Sequence, residues 1–274
     1  MSCATEDNIK GGDEENSAPI IKALIESPAT RTVLNEDGYV LWSDCDKISV
    51  FLGNDTNVEY TLASGEGTTS GLFTTTEPVS IGTEMSYNVA VFPYSASTTY
   101  ATTEGKASIM VEIPATQTYV DESFDTDSNP MMAVSMNTAD TDFAFKNVFG
   151  AVRFNLTGGA KITRIEFSGN NEEVLTGSAT ISMTNGETPS LIFNGTGKKV
   201  TLDCGAGVTL TSEGTSFTMS LPPQVFSSGF TVRFYDDEGT YMEKTTTKAF
   251  TVNRNRIVPV KAFPYEVTGE VNPS

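Results

Sequence analysis

Phe217-Thr218-Met219-Ser220-Leu221 sets three apolar side chains against two small hydroxyl residues with a period of two. An extended chain puts such a set on one face, whereas a helix would scatter it around its circumference. This stretch is therefore read as a half-buried β-strand, and the pattern repeats outward from it in both directions. Ile48, Val50 and Leu52 share a face within 47–52, as do Tyr87, Val89 and Val91 within 85–92. Strands are also expected at 39–42, 107–113 and 131–136, then at 151–156, 162–167, 179–183, 198–202, 230–235 and 256–263. Gly, Asn, Asp and Pro punctuate the intervals, and helical periodicity is nearly absent. Pro19 and Pro28 bracket eight residues whose Ile21, Ala23, Ile25 alternation makes them the first strand.

The chain has 274 residues, more than one domain usually holds, so two β-sandwiches are expected, with a single large barrel as the alternative. The polar run 121–142 gives way to an apolar stretch at 143–149, which places the boundary near residue 145. The expected units are a flexible tether at 1–17, a first sandwich at 18–145, a second at 146–267 and a tail at 268–274. The Ile109-to-Pro114 run leading to Gln117 is weakly echoed by Met219-to-Pro223 leading to Gln224.

Composition narrows function. A net charge of −18 repels phosphate backbones, so nucleic acid is excluded as a partner. Histidine is absent, which removes the commonest general base and metal ligand near neutral pH. No spacing singles out a pair of carboxylates, and the one tryptophan, Trp42, reads as core. The expectation is a non-catalytic protein without cofactor or metal. Asp125-Thr126-Asp127-Ser128-Asn129 starts like a calcium loop, but Pro130 and Met136 stand where its glycine and closing glutamate belong. No apolar run is long enough to span a bilayer. The chain opens Met1-Ser2-Cys3-Ala4-Thr5 and then turns polar and acidic, as a tether behind an N-terminal cysteine would. Any export signal is expected to have been removed already.

Several segments, in order, resemble the fimbrillins, the pilin-like subunits and fimbrium-associated lipoproteins of Bacteroides-type bacteria. They are Thr30-Arg31-Thr32; Trp42-Ser43-Asp44-Cys45-Asp46 leading into Lys47-Ile48-Ser49-Val50-Phe51; Ile113-Pro114-Ala115-Thr116-Gln117; and Ser123-Phe124-Asp125 ahead of Met131. In the second half they are Asn147-Val148-Phe149-Gly150-Ala151-Val152-Arg153-Phe154, Leu221-Pro222-Pro223-Gln224 and Asn253-Arg254-Asn255-Arg256-Ile257. The chain departs from the family pattern at Cys45, where relatives usually carry glycine in the turn after the tryptophan.

The resemblance implies an all-β fold of two tandem β-sandwich domains, transthyretin-like and of Greek-key type. It also implies a cell-surface lipoprotein anchored to the outer membrane through acyl chains on Cys3. Cleavage at Arg31 would release the first strand and empty a groove filled until then by Ile21, Ala23 and Ile25. A strand from another fimbrial subunit would then fill it by β-augmentation. The donor would be the terminal segment, with Ile257 and Phe263 on one face and Val258 and Val260 on the other. The alternative is a surface lipoprotein adhesin that does not polymerise and binds a glycan or host protein through loops such as 53–71 and 94–105.

Overall fold

The computed structural model describes residues 18–27, 40–103 and 105–271. The first half of the chain supplies β1 (Ile21–Ile25), β2 (Lys47–Leu52), β3 (Val58–Ser64), β4 (Ser70–Thr74) and β5 (Asn88–Phe92). It continues with β6 (Thr99–Thr103), β7 (Lys106–Ile113), β8 (Thr116–Thr118), β9 (Met131–Val134) and β10 (Asp142–Asn147). The second half begins with β11 (Gly150–Thr157), β12 (Lys161–Gly169), β13 (Gly177–Met183), β14 (Ser190–Phe193), β15 (Lys199–Thr209) and β16 (Thr215–Leu221). Then come β17 (Gln224–Phe226), β18 (Phe230–Asp236), β19 (Thr240–Thr246) and β20 (Phe250–Val252). β21 (Ile257–Pro259), β22 (Phe263–Pro264) and β23 (Gly269–Glu270) complete the set. The chain is all-β, and the one helical element among the described residues is a single 3-10 turn at Thr126–Ser128.

Seven strands close into a barrel in the order β1-β10-β9-β5-β2-β3-β4. The alternation seen at Ile48, Val50 and Leu52 points these side chains inward with Trp42, Tyr60, Phe73, Phe92 and Phe145. The opposite faces of β2 and β5 carry Phe51, Val89 and Val91 into a second cluster with Ile109, Ala179 and Ile181. That cluster lies beneath a sheet ordered β14-β13-β7-β6. Strands buried on both faces read as nearly continuous apolar runs, and β5, with all five residues buried, is one. A third cluster joins β11 and β16 to β12, β15 and β18, with Phe154 edge-on to Phe234 at 5.5 Å between ring centroids.

Pairing crosses residue 145. β7 runs antiparallel to β13, from Ala107↔Met183 to Ile113↔Gly177. β8 runs parallel to β15, and the buried Gln117 amide exchanges two hydrogen bonds with the Ser220 backbone, at 2.7 and 2.9 Å. Segments on the two sides of that position therefore share sheets.

The expected strands at 47–52, 107–113, 131–136 and 151–156 are found within a residue or two. The expected strand at 39–42 is not: residues 40–42 form no strand, and Trp42 enters the barrel from an irregular segment whose backbone bonds the β3–β4 turn at Gly67 and Thr68. Of the two candidate binding loops, 53–71 is largely the β3–β4 hairpin, and 94–105 contains β6. In β3 and β4 Thr61, Ser64 and Ser70 take the less buried positions, whereas Asn54 and Thr98, outside the strands, are buried.

Candidate functional site

β1 completes the barrel. It runs antiparallel to β4, with Ile21↔Phe73 and Ala23↔Gly71, and parallel to β10, with Ala23↔Phe143 and Ile25↔Phe145. Its inward residues Ile21, Ala23 and Ile25 are 0%, 0% and 3% exposed, whereas outward Ile20 and Leu24 are 59% and 50% exposed. The sequence alternation thus maps directly onto inside and outside. Burying the two isoleucines stabilises this strand by about 1.5–3 kcal/mol each. Ala23 is small where the barrel is narrow: a Cβ added to its neighbour Gly71 would come within 2.9 Å of the Trp42 ring.

The end of β1 is held by groups from two other places. The Glu26 carboxylate accepts from Nη1 of Arg254, from Nη2 of Arg254 at 3.2 Å and from the Asn147 N–H at 2.6 Å. The Lys146 ammonium lies 3.8 Å away. Arg254 Nη1 also donates to the Asn147 carbonyl at 2.8 Å, and the Asn255 amide donates to the Ser27 carbonyl at 2.9 Å. Asn147 is itself tied to Asn129 and Asn255. The turn carrying Arg254 comes this close because residue 150 is glycine: a Cβ there would lie 2.1 Å from the Asn253 carbonyl oxygen. Asn255 adopts the left-handed conformation, φ 56°.

The terminal segment sits elsewhere. β21 lies parallel to β11, at an edge of its sheet, with Ile257 and Val258 half-buried. Val260 packs on the third core cluster and donates its N–H to the Arg153 carbonyl at 2.8 Å. Phe263 stands edge-on to Phe234, and the Tyr265 hydroxyl donates to Asp236 at 2.9 Å. The proposed donor residues Ile257, Val258, Val260 and Phe263 and the groove residues Ile21, Ala23 and Ile25 thus occupy different sheets. Cys3 and Arg31 lie outside the described residues.

Other sequence candidates resolve locally. The Asp125 carboxylate caps the 3-10 turn, accepting from the Thr118 and Asp127 N–H groups and the Ser128 hydroxyl. Among the described residues no group of three or more acidic or cysteine side chains is arranged to hold a metal ion. Cys45 takes φ 66°, which is why glycine suits this turn in the fimbrillin pattern. Cys204 is a buried free thiol. Sequence reasoning missed Glu26 altogether. It had marked Asn147 and Arg254 as motif residues, without the contact that unites them.

A barrel whose first strand is inserted between one antiparallel and one parallel neighbour defines the class of fold. In overall fold the chain is similar to a "putative cell adhesion protein" from Bacteroides ovatus, at TM-score 0.54 and 13% identity over 95% of this chain and 100% of that one. A second "putative cell adhesion protein", from Bacteroides uniformis, aligns at TM-score 0.50 and 17% identity over 92% and 96% of the two chains. The tip fimbrial protein Mfa3 from Porphyromonas gingivalis also aligns, at TM-score 0.33 and 12% identity over 91% and 97%, too distant to carry weight. At 13% and 17% identity the first two likenesses establish a shared fold. No family model matches the sequence, and no curated protein matches it.

Proposed function

We propose that this chain is a non-catalytic structural subunit, or a tip or anchor accessory, of a bacterial surface fimbrium, and that β1 is its replaceable strand. The observation that carries the reading is the placement of β1. It closes the barrel through main-chain pairing on both edges and three buried side chains, so a strand of like pattern from another subunit could substitute for it. The connection after β1 contains Arg31, where cleavage would free the strand. On this reading Cys3 bears the lipid that tethers the protein to the outer membrane, and the fold is a pair of transthyretin-like sandwiches that exchange strands across residue 145. The donor is a strand of another fimbrial subunit, at the place that the 257–263 segment holds in this chain.

Treatment of the purified precursor with an arginine-specific protease tests this. Cleavage at Arg31 followed by oligomers on gel filtration is expected. A chain that is neither cut there nor assembles is not a strand-exchange subunit. One observation favours a second reading, a surface lipoprotein adhesin that never polymerises: the two-pronged hold of Arg254 on Glu26 suits a strand that stays in place.

A further inference from the structure

We infer that the groove filled by β1 recognises its occupant by charge as well as by shape. A replacing strand must present a carboxylate directly after the last of three inward side chains, the middle one being small. This inference rests on the strand-replacement reading and names the chemistry of the partner strand.

The donors that receive Glu26 do not belong to β1. Arg254 comes from the turn before β21, and Lys146 and the Asn147 N–H come from β10. All remain when β1 leaves. They are also held in position: Arg254 Nη1 is fixed by the Asn147 carbonyl, and Asn147 by Asn129 and Asn255. The emptied groove therefore ends in a preformed carboxylate receptor whose guanidinium side chain is only 22% exposed with β1 in place. A strand with an apolar residue at that position would cover the guanidinium and the N–H without satisfying them, and the single amide oxygen of a glutamine would satisfy only part of the set and none of the charge. That outcome is unfavourable, because a covered charge loses water and gains no partner. A carboxylate matches the forked guanidinium with two parallel hydrogen bonds. The size rule comes from the middle of the groove, where Ala23 faces Gly71 and the rings of Trp42 and Phe73 crowd that glycine.

The required pattern is thus large apolar, any, small, any, large apolar, acid, as in Ile21-Lys22-Ala23-Leu24-Ile25-Glu26. The chain's own terminal segment does not meet it. Val258, Val260 and Ala262 are followed by Phe263, and Ile257, Pro259 and Lys261 by Ala262. The fitting partner is a strand from a different subunit that carries the acid.

The test uses the full chain cut at a specific protease site inserted within 28–39, so that it does not depend on Arg31. Three fluorescent peptides are offered: residues 18–27, the same peptide with Glu26→Gln, and residues 257–266. Binding is read by fluorescence polarisation and by the emission of Trp42. The acidic peptide is expected to bind at least about tenfold more tightly than the other two, since a charge-assisted hydrogen bond is worth one or more decades. In the Arg254→Gln chain that preference is expected to fall to about twofold or less. Equal binding of the first two peptides to the unaltered receptor would overturn selection by charge and leave strand replacement standing. Binding of none of them would overturn both. The decisive substitution lies in the peptide, so the chain's own folding is not in question.

Discussion

Arg254 grips the carboxylate of Glu26 with both terminal guanidinium nitrogens, across 228 residues of sequence. The contact fastens the strand that closes the barrel to a turn that precedes β21 of another sheet. Their side chains are 12% and 22% exposed, so water reaches the pair and its strength lies below that of a fully buried one. Glu26→Gln should lower stability by about 1–2 kcal/mol, the larger part reflecting a guanidinium left without its partner. Arg254→Gln should cost a similar amount, and the double variant less than the sum. Urea denaturation of the four proteins measures this; strict additivity would mean that the two residues do not act as a pair.

Asp46 makes stability fall with pH over a narrow window. Burial, partly offset by the Ser43 N–H and reinforced by Asp127, raises its carboxyl from 3.8 to about 6. The folded protein therefore holds this proton more tightly than the unfolded chain does. The resulting stabilisation is fully present below pH 3.8 and is lost as pH rises through about 6. Asp46→Asn removes the buried charge, while its amide oxygen can still accept from Ser43, which now donates to Asp46 at 2.8 Å. The variant should be more stable than the parent at pH 7 by about 1 kcal/mol, a value discounted for the site's access to solvent. The two should converge near pH 4. Urea midpoints between pH 4 and 7 decide it, and parallel curves would exclude Asp46 as the cause.

Much of this architecture is legible because strand alternation is a local property. Ile21, Ala23 and Ile25 could be assigned to one buried face from eight residues between two prolines, and the structure buries all three. β3, β4 and β19 were not read as strands because one face of each is polar and rich in Ser, Thr, Glu or Lys. Trp42 was read correctly as core but wrongly as strand, since its burial depends on a barrel that no local pattern announces. The receptor for Glu26 could not be read at all. Its parts lie near residues 26, 147 and 254, and only the closed barrel with its flanking turn brings them together.

Cys204 should be chemically silent in the folded protein. It is 7% exposed within the third core cluster, and burial, with a smaller contribution from Asp203, pushes its thiol up to about 12. At pH 8 almost none is thiolate, the form that reacts. Alkylation of Cys204 by iodoacetamide, followed by peptide mass mapping, should be slow in buffer and complete in denaturing urea. Rapid native labelling would mean that β15 opens locally.

Gly71 and Gly150 are both crowded, but by different kinds of atom, and alanine should separate them. At Gly71 an added Cβ would meet side chains, Leu62 Cδ1 at 2.7 Å and ring atoms of Phe73 and Trp42 at 2.9 Å. Leu62 can turn aside but the buried rings of Phe73 and Trp42 have less freedom, so Gly71→Ala should cost about 2 kcal/mol, within the range for overpacking. At Gly150 the Cβ would meet backbone, the Asn253 oxygen at 2.1 Å and the Arg256 oxygen at 2.9 Å. A main-chain carbonyl in a tight turn has no rotamer to change, so the turn itself must retreat. Gly150→Ala should therefore cost about 3 kcal/mol, the upper end of the same range. It should also draw Arg254 away from Glu26. Hydrogen exchange of the Glu26 amide, which donates to the Phe145 carbonyl at the end of β1, should accelerate more in Gly150→Ala than in Gly71→Ala, whose methyl acts at the paired Ala23, once each is corrected for its global stability. Equal acceleration in the two variants would show that the turn does not hold the strand.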